Sequence, residues 1–593
     1  MSVSDLIKQT LRDRHDWPRI RLFDRLPTIT TKRLLLGVGV GLVGFLVLSP
    51  VVFLVWTSVW SGWPGQFDAS FTLRNYQAVY SSIETYRLFL NSVLVGLGVT
   101  CIAGFFGLMF AWLMARTNVP TKGWMELVIL SPYAIPSFMF AMMYIVTFGP
   151  HSGLVTTTLM DLFGLHSPPF NIYTPHWIVL IVGINSTTTF YLLTVPALQD
   201  MDATYEEIAR IYGASPLQTL RSVTFPLIKP AILSAVLLTF IISLGEFAVV
   251  AILGAPEQFH VYATKIWLSI TGTVPPQYGG AAALSMSLLA VTVVLVWYYR
   301  KVTARTEAFM TISGEGYQTR QWDLGNWRWP IAGALWCVLF VFWILPLGVM
   351  ALASLHDVWV GHVDLSALTL SHYAEVFGSE LVRRAFTNSL VIGIGGAILG
   401  TILVTFLAYY TERTEYRFRG FVDFLSLAPL AIPSIILGAA VVFTYLWLGK
   451  IHPLLDIYGT LWIIMLGSVV VFLPVTSRIA VGNIVQIHHE LEESARIHGA
   501  SWFQQIREVF LPLFRTTIGV ILFYLFIHIF RLLTIPIMTY TRGTETVSVV
   551  IFLQWRNYAD LEFVSAISVV FVGLMFVTIV VLRFSGLRFY QLR

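Results

Sequence analysis

An all-α polytopic membrane protein, with twelve transmembrane helices arranged as two parallel, pseudo-twofold-related six-helix repeats, is the fold class this sequence predicts. Three observations carry that reading. Of 593 residues, 56% are hydrophobic and only 12% charged, against roughly 25% charged in soluble domains. Apolar runs repeatedly exceed the ~20 residues that an α-helix needs to cross about 30 Å of hydrocarbon, and the alternating ~10-residue strands of a membrane β-barrel are missing. The chain also repeats itself in the same order, an offset of 297 relating Asn91-Ser92 to Asn388-Ser389.

A basic arm, 1–33, comes first. Spans follow at roughly 34–58, 88–114, 125–148, 177–198, 231–253, 280–299, 330–354, 386–410, 421–448, 460–482, 516–537 and 563–583. The run at 34–58 is too long for a secretory h-region and has no small-residue cleavage site, so it reads as a retained span. The first repeat covers 34–300 with a core of about 85–297, a linker occupies 301–329, and the second repeat covers 330–593 with a core of about 384–584. "FTLRNYQAVY" (71–80) answers "LTLSHYAEVF" (368–377), Arg116-Thr117 answers Arg413-Thr414, and "SPYAIPS" (131–137) answers "APLAIPS" (428–434). A longer external loop near 149–176 then lowers the offset to 285 at Trp177 and Trp462, and to 286 further on. An even number of spans separates the copies, so they share one orientation about an axis along the membrane normal.

The net charge of +5 comes with a sided distribution: Lys8 to Arg33 in the arm, and Arg583, Arg588 and Arg593 in the tail. This is the positive-inside bias and puts both termini in the cytoplasm. A basic groove with interleaved aromatics, the mark of nucleic-acid binding, is absent; the arm is suited to anionic headgroups of the bilayer. Cys101 and Cys337 stand alone inside spans and read as helix-packing residues, neither disulfide nor zinc ligands.

Two polar segments interrupt this pattern, "EEIARIYGASPLQTLRSVTFPL" (206–227) and "EESARIHGASWFQQIREVFLPL" (492–513). From Ala209 to Leu227 against Ala495 to Leu513, 11 of 19 residues are identical. Glu207 and Glu493 open helical stretches, where an acid suits the positive end of the helix dipole. Gly213 and Gly499 can adopt positive φ and end those helices. A short amphipathic helix follows in each copy (Ala214, Ser215, Leu217 and Leu220, or Ala500, Ser501, Phe503 and Ile506), ending at Pro226 or Pro512. A short helix on a rigid bend fits a groove in a partner; the plainer alternative is a turn kept from the duplication.

At these residues the chain resembles a known family. Glu207-Ile208-Ala209…Gly213…Pro226 and Glu493-Ser494-Ala495…Gly499…Pro512 match the "EAA" signature of type I ABC importer permeases, with the middle Ala replaced in both copies. The resemblance implies the ABC type I importer transmembrane fold. Each elbow would be the coupling helix for one of two copies of an ABC ATPase subunit at the cytoplasmic face of the inner membrane. It also implies an extracytoplasmic binding protein, docking on loops such as 59–87 and 355–385. The fused form, with "SLGEF" (243–247) and "GTETVSVVIF" (543–552), looks most like ferric-iron permeases; thiamine, polyamine and phosphonate permeases are close relatives. No G-x-x-x-x-G-K-[S/T] loop occurs, Gly449-Lys450 being followed by Ile451. The expectation is a transport subunit and not an enzyme, binding no cofactor itself, while its partner uses ATP and magnesium.

Charges within spans default to functional hypotheses. Glu246 and Arg531 occupy neighbouring repeat-equivalent positions and are candidates for a gate pair across the pathway; the alternative is that each is satisfied within its own repeat. His528 belongs to the same neighbourhood or simply packs. The resemblance implies an acid after Arg531, where this chain has Leu532. Pro132 and Pro136, with Pro429 and Pro433, should kink spans 3 and 9 and are candidate hinges or fixed bends. Asn185 and Thr187 to Thr189 give span 4 a polar stripe that glues helices. The 13 histidines show no metal-ligand spacing. The rival from another class is an ion-coupled secondary transporter with two parallel halves, for which one acid in span 5 is thin support.

Overall fold

The structure is a computed structural model and describes residues 31–307, 321–558 and 560–584; the basic arm up to residue 30, linker residues 308–320, and Arg588 and Arg593 lie outside the described residues. Among the described residues there is no strand beyond isolated bridges. Among these residues ten helices are long and apolar enough to cross a membrane, and two bent pairs, each taken as one span, raise the number to twelve. In order, spans 1 to 6 are Leu36–Ser58, Ile83–Arg116, Lys122–Tyr133 with Ser137–Phe148, Pro175–Gln199, Leu217–Leu227 with Lys229–Leu244, and Tyr278–Thr303. Spans 7 to 12 are Gly325–Ala353, Glu380–Arg413, Ser434–Ile451, Leu461–Ile484, Trp502–Phe530 and Leu561–Thr578.

Each repeat is built on the same three-helix core. Span 2 packs on spans 4 and 5, and span 8 packs on spans 10 and 11. Small residues set the spacing, as expected where lipid gives no hydrophobic drive between helices. A Cβ on Gly107 would meet Phe190 Cβ at 2.8 Å, one on Gly183 would meet Ile102 Cβ at 2.7 Å, and one on Gly400 would meet Leu525 Cδ1 at 2.7 Å. The repeats then exchange their first spans: span 1 packs on span 9, and span 7 packs on the Ser137–Phe148 half of span 3. Trp56, Trp60 and Phe67 close around Trp447 of span 9 and fasten the first exchange, with Phe71 edge-on behind Trp56 and Trp60. Tyr144 donates to the Phe342 carbonyl at 3.0 Å in the second. At the end opposite the polar segments, a helix in the long loop of the first repeat, Leu154–Phe163, touches the second repeat through Thr157, which donates to the Gly361 carbonyl.

Four expectations need correction. Span 3 is not kinked but broken, its halves meeting at 109°. Proline disfavours helix at the residue before it; Pro136 and Pro433 adopt extended backbone (ψ 145° and 137°), and the next helix starts at Ser137 or Ser434. Spans 5 and 11 stop at Leu244 and Phe530, well short of 253 and 537. The equivalent residues Gly245 and Arg531 take nearly the same conformation there, φ −92° ψ 8° and φ −89° ψ −4°. Pro512 does not end its helix. A π-helical turn, Gln505–Phe510, precedes it and loosens the backbone at the carbonyl the ring would strike, so Trp502–Phe530 runs through. The first copy has the same π turn, Leu220–Thr224, but bends by 73° at Ile228, because Pro230 stands where the second copy has Thr516. Finally, Cys101 and Cys337 face outward and do not pack between helices.

Overpacking a tight helix contact costs roughly 1–3 kcal/mol. Gly183→Leu should therefore lower the thermal unfolding temperature of the detergent-solubilised chain, read by fluorescence-detected gel filtration. Gly41→Leu, where a Cβ meets nothing within 4 Å, should leave it unchanged.

Candidate functional site

The polar segments fold into two matching elbows. Helices Thr204–Ile211 and His489–Ile497 end at Gly213 and Gly499, with φ +84° and +86°. The Ala214 and Ala500 amides reach back to the Ala209 and Ala495 carbonyls at 3.0 Å, and the glycine amides to Arg210 and Arg496 at 2.9 and 3.0 Å. This paired closure satisfies the last carbonyls of each helix and fixes the exit direction. Ser215 with Gln218, and Ser501 with Gln504, then cap the next helix reciprocally. Asp202, ahead of the first helix, accepts the Thr204 amide, which holds its carboxyl below the usual carboxylate range. That contact persists until pH falls through the lowered pKa.

Each bend projects apolar side chains away from the chain's own core. Ile211, Tyr212 and Leu217 are 82, 87 and 75% exposed, and Ile497 and Phe503 are 82 and 65% exposed. A Cβ on either glycine would meet nothing within 4 Å. The apolar residues of the short amphipathic helix are unequally presented: Leu217 and Phe503 point out, while Leu220 and Ile506 are half-buried. Pro226 and Pro512 are exposed, as is Glu493, whereas Glu207 is half-buried.

The residue that anchors the first elbow is Glu206, the neighbour of the predicted Glu207. Its carboxylate is buried and takes Arg116 Nη2 at 2.6 Å and Nε at 3.2 Å on one oxygen, and Thr224 Oγ1 at 2.7 Å on the other. Arg116 also donates to the Met201 carbonyl at 3.2 Å. The second elbow repeats the plan more loosely. Arg413 donates to the Ile484 and Ile487 carbonyls, but its Nε lies 3.3 Å from Glu492 Oε1 without hydrogen-bond alignment. Phe510 stands where the first copy has Thr224, so one donor is lost. A signal was present in the sequence: Arg116 and Glu206 recur together as Arg413 and Glu492.

Between the repeats, Glu246 and Arg531 form no ion pair among the described residues. Glu246 accepts the Val249 amide at 3.1 Å and caps the short helix Ala248–Leu253 of its own repeat. Arg531 instead crosses to the other repeat. Its Nη1 donates to the Tyr133 carbonyl at 2.7 Å and lies 3.3 and 3.5 Å from those of Pro132 and Ile135, with the guanidinium over the Tyr133 ring. The Pro132 carbonyl also accepts the Ile135 amide at 3.2 Å, and the break at Pro136 leaves the Tyr133 carbonyl to Arg531. At the matching break Thr292 donates to the Ala431 carbonyl at 2.5 Å, and Gly245 lies so close to Pro433 that a Cβ would meet it at 2.7 Å. Pro132 and Pro136 thus face the end of span 11, and Pro433 the end of span 5; Pro429, equivalent to Pro132, opens the second break. His528 is buried in an aromatic stack, 4.0 Å from Tyr524 and edge-on to Tyr133 and Phe472. In the polar stripe of span 4, Thr188 donates to the Ile129 carbonyl at 2.6 Å and ties spans 3 and 4 together.

The profile of the family described as "Binding-protein-dependent transport system inner membrane component" matches residues 105–308 and 400–591, more than half of the chain. A "Probable ABC transporter permease protein y4fN" of Sinorhizobium fredii is 26% identical over 72% of this chain and 74% of its own length. A "Putative ferric transport system permease protein FbpB 1" of Haemophilus influenzae is 25% identical over 79% of this chain and 70% of its own length. The "Sulfate transport system permease protein CysT" of Salmonella typhimurium is 26% identical over 46% of this chain and 91% of its own length.

Removing one partner of a buried ion pair costs roughly 3–5 kcal/mol; Glu492 makes no aligned hydrogen bond to Arg413, which keeps its two carbonyl acceptors when that acid is neutralised. Glu206→Gln should therefore speed trypsin cleavage after Arg210 severalfold. Glu492→Gln should leave cleavage after Arg496 within about twofold. Equal sensitivity of the two elbows would contradict the difference in their anchoring.

Proposed function

The chain belongs to the family of binding-protein-dependent transport system inner membrane components, the permease subunit of an ABC importer and not an enzyme, and from that premise we propose that it conducts ferric iron. The observation that carries the mechanism is the pair of elbows, identical in turn geometry and each presenting exposed apolar side chains on a rigid bend. Two copies of an ATP-binding-cassette subunit dock there on the cytoplasmic side, one per elbow. They hydrolyse ATP with magnesium, and no cofactor is bound by this chain. Both termini lie on the same side as the elbows.

In this reading, closure of the two motors moves the elbows together. Span 11 continues without a break from the second elbow to Phe530, so its displacement reaches Arg531 directly. Opening the pathway at that level requires Arg531 to leave the Tyr133 carbonyl, which makes the contact a latch between repeats in place of the candidate gate pair with Glu246. The prolines at the two breaks are the hinge points on either side. The charged guanidinium tolerates the strongly apolar surroundings because carbonyl oxygens and a ring face replace water around it.

The choice of iron rests on the resemblance and on the ferric relative, whose match spans both repeats. Thiamine, polyamine and phosphonate remain the alternatives on the same architecture, and the sulfate relative matches about half of this chain. In this reading an extracytoplasmic binding protein selects the iron before it reaches the chain.

Two experiments test the proposal. Gly213→Asn and Gly499→Asn keep a residue that tolerates the left-handed turn while adding bulk to an open surface. Both should abolish co-purification with the ATP-binding subunit without lowering permease yield; retained association would remove the docking role. Cells expressing the chain with its ATP-binding subunit and binding protein should accumulate radiolabelled ferric iron, and an inactive ATPase should stop it. Motor-dependent uptake of thiamine, putrescine or sulfate instead of iron would overturn the substrate, and uptake indifferent to the ATPase would overturn the importer cycle.

A further inference from the structure

We infer that Trp322, on the segment joining the two repeats, is a positioning residue of the first elbow; this rests on the reading of the elbows as motor-docking sites. The segment does more than tether. The Trp322 amide donates to the Arg116 carbonyl at 2.7 Å and its carbonyl accepts the Asn118 amide at 3.1 Å, a parallel bridge alongside Thr117. Asn118 extends the seam by donating to Asp323 at 2.7 Å and accepting the Leu324 amide at 2.9 Å. The buried Trp322 indole lies edge-on to Trp112 and donates its Nε1 hydrogen to Glu206 Oε2 at 3.0 Å. Its outer face carries the guanidinium of Arg210, from the elbow helix itself, at 5.1 Å. One side chain of the linker therefore reaches both the anchoring carboxylate and the presented helix of the first elbow.

The second elbow shows why a linker residue is needed. There the elbow supplies its own indole: Trp502 donates to Tyr409 Oη at 3.1 Å and packs edge-on against that ring. Tyr409 is the repeat equivalent of Trp112, and Trp502 of Pro216. With proline at 216, the first elbow has no aromatic of its own at this place, and Trp322 fills it from the linker. A buried carboxylate is costly unless its oxygens are met. Glu206 is met by Arg116, Thr224 and Trp322, and the last of these belongs to the linker. The two docking elbows are consequently held by different means, the first through the connection to the second repeat and the second through its own sequence.

Trp322→Phe keeps the ring and deletes only the indole donor, and Trp336→Phe, which deletes a donor to Thr121 away from the elbows, is the control. In full-length chain in lipid nanodiscs without the ATPase, Trp322→Phe should raise amide hydrogen exchange across residues 203–212 by about tenfold, the size of one charge-assisted hydrogen bond. Exchange across 489–498 should not change. With the ATP-binding subunit titrated in, the concentration giving half-maximal ATPase stimulation should rise by a similar factor while turnover at saturation is kept. Unchanged exchange at 203–212, or equal acceleration in both elbows and in the control, overturns the inference. Accelerated exchange at 203–212 with an unaltered motor titration upholds Trp322 as a positioning residue and overturns the docking role of the elbow.

Discussion

Inside a hydrocarbon layer, a helix that stops leaves carbonyls with no water to receive, and this constraint organises the centre of the molecule. Both repeats break their third span at a proline. Each break is repaired from the opposite repeat, by Arg531 at Tyr133 and by Thr292 at Ala431. Neither half could satisfy its own backbone in this arrangement, which is why the repeats must be associated for either to be complete. The same constraint explains a guanidinium with no acid beside it. Arg531 is not an uncompensated charge but the donor its partner's broken helix requires.

Around that centre the duplication has kept geometry and changed its fastenings. The glycine turns agree to within a few degrees, and the reciprocal serine–glutamine amide bonds recur in both caps. The anchors behind them differ. Thr224 became Phe510 or the reverse, and an aromatic demanded at one place comes from the linker in one repeat and from the elbow in the other. What is held constant is the shape presented outward; what varies is where the holding bonds come from.

Much of this was legible in the sequence because the signals are local. Apolar runs longer than a bilayer mark spans, and a polar stretch repeated at 11 of 19 positions marks the elbows. Glycine at the end of a helical run marks positive φ. The rest depends on contacts that no local pattern encodes. Proline announces that a hydrogen bond is missing, but the 109° turn at the first break depends on which neighbours receive the two halves. Arg531 finds its acceptor 398 residues away, and charge alone leaves a pair with Glu246 and satisfaction within its own repeat both open. Glu206 and Glu207 are both acids at a helix start, and only the phase of that helix decides which turns inward to Arg116. The cysteines misled for a further reason: lipid is as apolar as a protein core, so a hydrophobic context does not distinguish an inward from an outward face.

The two helices that rise from the elbows differ in one respect that bears on how force would travel through the molecule. The second is a continuous 29-residue rod, about 43 Å long at 1.5 Å per residue. The first is interrupted at Ile228 by a 73° bend. A rod transmits displacement along its axis without loss, whereas a bend converts part of it into rotation. Equal strokes applied beneath the two elbows would then arrive unequally at the two proline breaks. The chain is a pseudo-symmetric frame with one stiff lever and one jointed one.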